Sequence, residues 1–397
     1  MPLRPPAGFI SAFYDPLRNP NAPTIGTATG GDQSAAVAFT APTNVGGSAI
    51  SSYSAISTPG GFIGSAASSP VTVSGLTNGS SYTFAVWATN TYGPSAFSAA
   101  SGSVTAGTFA YFFGGTTSGA VVNTIDYVSI DNTGNATDFG DITYLTSKAA
   151  ACSSSTRGIV AGGSSAGTRT NDISYITFAT AGNTTSFGTL ITANESFGSL
   201  SNSTRGVIAG GEVGTTNVIQ YVTIATTGNA TDFGDLLAGQ YWMAGCASTT
   251  RGIFGGGTTG TKSNVIQYIT IATTGNATDF GDLTVARSGL GGASNATRGV
   301  FGGGSSASAV VNVIDYITIA STGNATDFGD LITTTTDFTA AANLTRALFA
   351  GGELSGGSRT NVISYITIAS TGNATDFGDL TQARNDLAGC SSAHGGL

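Results

Sequence analysis

The sequence has little charge, and this scarcity excludes several kinds of protein. Only 9% of its 397 residues are charged, and the net charge is −8. Ordinary soluble domains carry about a quarter of charged residues, and nucleic-acid binding needs clustered lysine and arginine. We therefore expect no nucleic-acid partner. Such a surface suits uncharged polar partners or packing within an assembly.

Residues that commonly carry out chemistry are equally scarce. His394 is the only histidine. The three cysteines are too far apart for a disulfide framework or a metal cluster: Cys152, Cys246 and Cys390. No nucleophilic triad can be assembled. Two carboxylates suffice for a glycosidase, but most aspartates recur in repeated turns. We predict a protein that is not an enzyme, with no cofactor and no catalytic or metal site.

Long apolar runs are also missing. No run approaches the length of a transmembrane helix. Pro2, Pro5 and Pro6 interrupt the first residues, which do not resemble a signal peptide. We therefore expect no insertion into a membrane.

The sequence does contain one stretch written six times, most clearly as NVISYITIASTGNATDFGDL at 361–380. Its tyrosine recurs at steps of 48, 46, 47, 48 and 49 residues: Tyr127, Tyr175, Tyr221, Tyr268, Tyr316 and Tyr365. A period near 47 with short apolar runs and abundant glycine predicts an all-β array of stacked units.

Each unit of the array, residues 108–397, contains four candidate strands. The first unit lacks its first strand, and the chain ends on a segment, 386–392, that matches the missing one. We therefore predict six blades, with a ring closed by pairing the N- and C-terminal strands of the array. The glycine pair after the second strand, the later tyrosine and the period resemble kelch-type β-propellers. That resemblance implies a six-bladed kelch-like β-propeller.

Residues 21–107 show a different pattern, with short alternating runs separated by turns. Ala41-Pro42, the segment GLTNGSSY at 75–82 and Ala88-Thr89-Asn90 resemble a fibronectin type III domain. The resemblance implies a β-sandwich in which Tyr82 forms a tyrosine corner that ties back to the chain upstream.

Residues 1–20 are rich in proline, and we predict that they form an arm that docks onto a partner or a sibling subunit. The apolar group that would make this contact is Phe9, Ile10, Phe13 and Tyr14.

Comparison of the six copies separates variable from uniform segments. The loops between second and third strands vary, as do the segments between units. In a propeller these share one rim, which we predict to be the binding face. Trp242, whose counterparts are mostly polar, favours stacking on a sugar ring, although it could equally fill a local gap. Tyr241, Arg287 and Arg384 join this candidate surface.

The uniform turns carry a repeated arginine and a repeated aspartate. The first blade lacks the arginine, and the second blade lacks the aspartate. If each arginine bonds the aspartate of the next blade, every remaining arginine and aspartate therefore has a partner. The predicted inter-blade pairs are Arg157–Asp232, Arg205–Asp279, Arg251–Asp327, Arg298–Asp376 and Arg346–Asp138. The alternative is calcium at Asp138 and Asp141 and their copies, but two carboxylates per turn offer few ligands. Turn capping is commoner.

This layout resembles the virion structural proteins of tailed bacteriophages, such as tail fibres and capsid decoration proteins. The resemblance implies a non-enzymatic appendage, assembled in the host cytoplasm into an oligomeric particle. The arm would bind other virion proteins, and the propeller would face a host-surface receptor or glycan. The alternatives are an extracellular bacterial adhesin and an accessory binding domain of a carbohydrate-active enzyme.

Overall fold

The computed structural model describes residues 17–31, 33–77, 80–178 and 180–393. Within these ranges every regular element is a β-strand, which confirms the predicted all-β class, and no helix could span a membrane. The chain forms two compact units, Met1–Gly107 and Thr108–Leu397. The predicted arm residues Phe9, Ile10, Phe13 and Tyr14 lie outside the described residues, as do Asn78, Gly79 and His394.

The described residues of the first unit form two antiparallel sheets that share one buried core. Its strands are β1 (Thr24–Gly31), β2 (Ser34–Thr40), β3 (Ser52–Thr58), β4 (Ile63–Ala66), β5 (Val71–Ser74), β6 (Ser81–Asn90), β7 (Gly93–Pro94) and β8 (Val104–Thr105). One sheet has the order β1-β2-β5 and the other β4-β3-β6-β7, with β8 also paired to β6. Alternate side chains of β6 are buried, as expected when one face of a sheet covers the core. The Thr77 amide donates to the Tyr82 hydroxyl at 3.0 Å, which is the tie that the resemblance implied.

The described residues of the second unit form 28 strands. They are β9 (Phe109–Phe113), β10 (Thr124–Ser129), β11 (Thr137–Asp141), β12 (Ala150–Ser153), β13 (Arg157–Ala161), β14 (Ser164–Ser165), β15 (Thr168–Arg169), β16 (Asp172–Thr177), β17 (Thr185–Thr189), β18 (Gly198–Ser201), β19 (Arg205–Ala209), β20 (Val218–Thr223), β21 (Thr231–Asp235), β22 (Ala244–Ala247), β23 (Arg251–Gly255), β24 (Val265–Thr270), β25 (Thr278–Asp282), β26 (Gly291–Ser294), β27 (Arg298–Gly302), β28 (Val313–Thr318), β29 (Thr326–Asp330), β30 (Thr335–Thr336), β31 (Thr339–Ala342), β32 (Arg346–Ala350), β33 (Glu353–Leu354), β34 (Val362–Thr367), β35 (Thr375–Asp379) and β36 (Ala388–Ser391).

Most of these strands form six four-stranded antiparallel sheets, numbered here by the order of their second strands. Sheet 1 is β36-β9-β10-β11, sheet 2 is β12-β13-β16-β17, sheet 3 is β18 to β21, sheet 4 is β22 to β25, sheet 5 is β26 to β29, and sheet 6 is β31-β32-β34-β35. Two short pairs, β14 with β15 and β30 with β33, lie outside them. The C-terminal β36 therefore supplies the first strand of sheet 1, where it pairs with β9. The first strands of the six sheets contact one another in a closed cycle, β12-β18-β22-β26-β31-β36 and back to β12.

The uniform Gly-Asn-Ala-Thr-Asp-Phe-Gly-Asp segment joins each sheet to the next. Between sheets 4 and 5, the Gly323 amide donates to Phe280 O at 2.8 Å, and the Asp282 amide donates to Asn324 Oδ1 at 3.0 Å. The equivalent bonds occur at all six junctions, including the one from sheet 6 back to sheet 1. Gly281 must be glycine, because a Cβ there would meet the Gly323 carbonyl carbon at 2.5 Å. The repeated segment is therefore scaffold.

The predicted inter-sheet arginine–aspartate pairs are wrong, although the arginines do cross to the next sheet. The Arg205 Nη1 donates to Ile271 O at 2.8 Å, and the Arg251 Nη1 donates to Ile319 O at 2.8 Å. The remaining arginines make the equivalent contact with Ile224, Ile368 and Ile130. The repeated aspartates point to solvent from the fourth strand, the edge of each sheet, whereas the arginines start from the second. None of the five predicted pairs is among the ion pairs of the described residues.

The junction from sheet 1 to sheet 2 lacks the arginine, and aromatic packing replaces it. Phe109 takes the arginine position in sheet 1, and Phe178 takes the position of the accepting isoleucine in sheet 2. Phe178 stacks on Tyr111 with ring centroids 4.4 Å apart. Elsewhere each arginine lies over the repeated tyrosine of its own sheet, as Arg205 does over Tyr221 at 4.4 Å.

Candidate functional site

Six residues form a hydrogen-bonded ring. Each sheet contributes one of them, from the segment that precedes its first strand. The amide of each donates to the carbonyl of the preceding one, at 2.7–3.0 Å around the whole cycle. We call them the ring residues: Lys148, Ser196, Trp242, Gly289, Asp337 and Asp386. The closed cycle of hydrogen bonds holds the six backbones together. The five side chains can differ, since Gly289 has none.

All six ring residues have positive φ, between 54° and 67°. This left-handed conformation costs a residue other than glycine of order 1 kcal/mol or more, so it persists only where the surroundings impose it. Here the imposing feature is the ring, because each amide and each carbonyl must point along the cycle. Asparagine, aspartate and glycine tolerate such backbones best, yet one ring position holds tryptophan.

The variable loops between second and third strands begin beside this ring. The residue just before each ring residue pairs with the start of a loop between second and third strands, as Tyr241 does with Thr258 and Ser288 with Ser305. The same contact occurs at the other four sheets. We call the ring together with these loops the ring face. The ring face contains the segments that vary among the six copies of the repeat.

Two cavities lie in line beneath the ring. The outer one, the vestibule, has a volume of about 80 Å³ and is lined by the ring residues and by the next residue of each segment. Those next residues form an apolar floor: Ala149, Phe197, Met243, Leu290, Phe338 and Leu387. The inner cavity, about 150 Å³, lies beyond this floor among small residues of the first strands, such as Ser153, Ser201 and Gly245.

The lysines and glutamates of the chain lie on the ring face. The chain has two lysines, Lys148 and Lys262, and both place Nζ over the Trp242 ring, 5.4 and 5.7 Å from its centroid. All three glutamates are here as well. Glu212 accepts from Ser196 Oγ at 3.0 Å, Glu195 pairs with Arg169 at 2.7 Å, and Glu353 accepts from Asn385 Nδ2 at 3.2 Å.

No protein-family model matches the chain, and no curated protein matches it significantly. Across residues 17–393, apart from the few positions left undescribed, no group of three or more His, Cys, Asp or Glu side chains could hold a metal ion.

Two of the four predicted binding residues are on the ring face. Tyr241 and Trp242 are both half-buried, with their rings 5.5 Å apart. The indole Nε1 of Trp242 is buried without a hydrogen-bond partner among the described residues. The tryptophan is therefore neither a fully exposed platform nor a simple core residue, and it is one of the residues that line the vestibule.

The other two predicted binding residues, Arg287 and Arg384, are wrong as surface contacts. Both are 0% exposed. Arg287 Nη2 pairs with Asp315 at 2.9 Å and also donates to Phe301 O, and Arg384 Nη2 pairs with Asp126 at 3.0 Å. Burial lowers the pKa of both guanidinium groups, and the paired aspartate opposes this effect. These arginines join one sheet to the next beneath the ring face.

A signal for these buried pairs exists in the sequence. The equivalent positions hold Gln240 and Gln267 at the junction of sheets 3 and 4, where Gln267 Nε2 donates to Gln240 Oε1 at 3.0 Å. At the first of these two positions, arginine occurs only where the next sheet has aspartate at the second position. Glutamine occurs at the first position only where the next sheet has glutamine at the second. Comparing the residues at these two positions across the six repeats would have indicated that both arginines are buried.

Sequence reasoning missed Asp337 and Asp386, which stand next to each other in the ring. Burial raises the pKa of Asp337 to about 6, with Glu353 adding to the effect. Burial also raises the pKa of Asp386 to about 7, and the nearby Asp337 adds to that effect. Lys148 favours the charged form of both groups, Lys262 does so for Asp337, and Arg359 does so for Asp386.

These two raised pKa values predict that Asp337 and Asp386 contribute more to the stability of the second unit as the pH falls toward 5. An unfolded aspartate titrates near 4, so between about pH 4 and pH 7 the folded chain binds more protons than the unfolded chain. The free energy of unfolding contributed by this pair therefore falls as the pH rises through that window. Replacing both residues with asparagine should flatten the change in Tm between pH 5 and pH 8.

The matched control replaces two exposed aspartates, Asp327 and Asp376, with asparagine. The total charge is the same in both double variants. An equal pH dependence of Tm in the two variants would contradict the assignment to Asp337 and Asp386.

Proposed function

We propose that the second unit is a six-bladed kelch-like β-propeller closed by pairing its N- and C-terminal strands. Three features support this fold: the six equivalent sheets, the pairing of β36 with β9, and the cycle of contacts among first strands. We propose likewise that residues 21–107 form a fibronectin type III-like sandwich. The two sheets around one core and the Tyr82 tie support it.

We propose that the chain is a non-enzymatic binding protein whose ring face recognises a receptor or a glycan on a host surface. The observation that carries this proposal is the unequal distribution of sequence variation, lysine and glutamate within one repeat. The junction segments are nearly uniform, whereas the ring face collects the variable loops, both lysines and all three glutamates. Loops held on a rigid scaffold are the usual place for recognition.

We further propose that the chain is an appendage of a tailed-bacteriophage particle, either a tail fibre or a capsid decoration protein. The support is the order of an arm, a small sandwich and a larger repeat unit that resembles such proteins. In this proposal residues 1–20 bind other virion proteins. Arg18 and Asn19 are hydrogen-bonded within the first unit, through Gly46 and Pro94, so a deletion that spares this unit removes only residues 1–16.

Deletion of residues 1–16 tests the appendage proposal. Particles from cells that produce the whole chain or the shortened chain are purified, and the chain is quantified in them by mass spectrometry. We expect at least ten-fold less of the shortened chain in particles, with an unchanged Tm for the free protein. Equal incorporation would contradict the docking arm, and location on the outer surface of the producing cells would favour the adhesin.

A loop exchange tests the recognition face. Residues 258–263 between β23 and β24 are replaced with residues 305–311 from the equivalent loop of sheet 5. This exchange removes Lys262 but keeps a loop that the same scaffold already carries. We expect loss of most binding to host cells without a change in Tm, and unchanged binding would count against this face.

A further inference from the structure

Residues 95–101 run along β6, between β7 and β8 in the chain, and we call them the serine strap. Every third residue of the strap is a serine whose amide donates to a β6 carbonyl, at 2.8 Å in each case. The hydroxyl of the same serine accepts from the amide of the same β6 residue, at 2.9–3.0 Å. The pairs are Ser95 with Ala88, Ser98 with Val86, and Ser101 with Phe84. Three serines therefore satisfy six backbone groups of β6.

The strap does not have the spacing of a strand, because three of its residues face two residues of β6. In a regular antiparallel pair, the backbone carbonyl would accept from the opposite amide, and here the serine hydroxyl accepts instead. Each hydroxyl donates in turn to the carbonyl of the next residue, as Ser98 does to Ala99 O at 2.7 Å. The other two serines do the same. A further strand needs bonding groups at every second residue, so a strap with a period of three does not extend the ladder.

Without the strap, the middle of β6 would be an open edge of its sheet. Open edges pair with other chains, and lysine or another charge on the edge is a common protection. The sequence has two charged residues between positions 17 and 107, Arg18 and Asp32, and neither lies in β6. The edge of β6 therefore lacks protection by charge, and the strap takes its place.

The face of this sheet that points away from the core is apolar as well. Ile56 pairs with Ile63 on one side and with Ala85 on the other, so their side chains lie in one row, and Ile63 is 58% exposed. The half-buried Trp87 continues this face beside Phe97 of the strap, with ring centroids 5.2 Å apart. An uncharged, apolar sheet with an open edge is prone to associate with a sheet of the same kind. A second copy of this chain supplies such a sheet.

We propose that the serine strap is an autoinhibitory contact that keeps β6 from pairing with the β6 strand of a second copy. Such pairing would join the two sheets edge to edge, through the backbone groups that the three serines now occupy. The proposal concerns the first unit and does not depend on what the ring face binds.

Replacement of all three strap serines with alanine in the whole chain tests the proposal. The variant leaves three β6 amides without acceptors, so their hydrogen exchange should accelerate by about ten-fold or more. Sedimentation should show that the variant associates with itself at least about ten-fold more tightly than the unaltered chain, because the β6 edge is then open. The control replaces three exposed serines of the same unit with alanine and should change neither measurement: Ser68, Ser74 and Ser103.

Addition of Ala85→Lys to the triple variant separates edge pairing from other kinds of association. A lysine in the middle of β6 supplies the protection by charge that the natural strand lacks. Self-association should therefore return to the level of the unaltered chain, while the β6 amides still exchange fast. Fast exchange in the triple variant without stronger self-association would overturn the proposal. Unchanged exchange, or association that the lysine does not weaken, would overturn it as well.

A milder variant applies if the triple variant unfolds, which fast exchange in the neighbouring strand β3 would reveal. Ser98→Ala removes the acceptor of the Val86 amide alone, so this amide should exchange about ten-fold faster than in the control Ser74→Ala. The amides of Phe84 and Ala88 keep their serine acceptors and should change less. Equal exchange of the Val86 amide in the two variants would overturn the proposal, because the hydroxyls would then not hold the strap.

Discussion

Arg287→Gln is expected to destabilise the second unit by about 3–5 kcal/mol, the range for breaking a buried ion pair. Arg287 and Asp315 are both 0% exposed, and the substitution leaves the Asp315 carboxylate buried without its cation. Thr284 still donates to that carboxylate through its amide and its hydroxyl, which replaces only part of the loss. Asp315→Gln should cost a similar amount, because it leaves a buried guanidinium group unpaired.

The double variant Arg287→Gln/Asp315→Gln should be more stable than either single variant. It reproduces the pair that the chain already uses at Gln240 and Gln267. In that pair the Leu237 amide also donates to Gln267 Oε1, in the place where the Thr284 amide meets Asp315. Urea unfolding of the four proteins gives the coupling energy, which we expect to exceed about 2 kcal/mol. Additive losses in the double variant would show that the two residues do not act as a pair.

Gly206→Ala is expected to destabilise the second unit by about 1–3 kcal/mol through overpacking. A Cβ on Gly206 would collide with Cys152 Sγ of the neighbouring sheet. The φ angle of Gly206 is not positive, so its backbone accepts alanine and the loss comes from the collision alone. Burial raises the pKa of the Cys152 thiol to about 12, so this sulfur acts as a packing atom and not as a reactive group.

The equivalent pairs at the other junctions show how the collision can be relieved. Large residues face glycine, as in Leu200 with Gly252 and Cys246 with Gly299. Alanine faces alanine in the remaining two: Ala293 with Ala347, and Ala341 with Ala110. Gly206→Ala/Cys152→Ala should therefore recover most of the lost stability, whereas Cys152→Ala alone leaves a small void. A double variant less stable than Gly206→Ala would contradict this complementarity.

Much of the fold could be predicted from the repeat alone. The period of the tyrosines indicated six units, and the C-terminal segment matched the strand missing from the first unit. Strand alternation and turn residues are local properties, so they can be read along the chain without knowing what lies beside it. For the same reason the comparison of copies separated the uniform junction segments from the variable ring face.

The partners of long polar side chains could not be predicted in this way. Arg205 was expected to meet Asp279, but it reaches the carbonyl of Ile271 instead. Arg287 was expected on the surface, yet it is buried. A guanidinium group can pair with any acceptor within several ångströms, and sequence spacing does not say which acceptors the neighbouring sheet brings that close.

The sequence by itself determined the all-β class, the six repeated units and the segments that vary between them, because these depend on local patterns repeated along the chain. Only the tertiary structure decided that Lys148, Trp242, Asp337 and Asp386 meet around one vestibule. These residues come from four different segments, and the hydrogen-bonded ring places them together. The raised pKa values of Asp337 and Asp386 arise from the surroundings that this meeting creates.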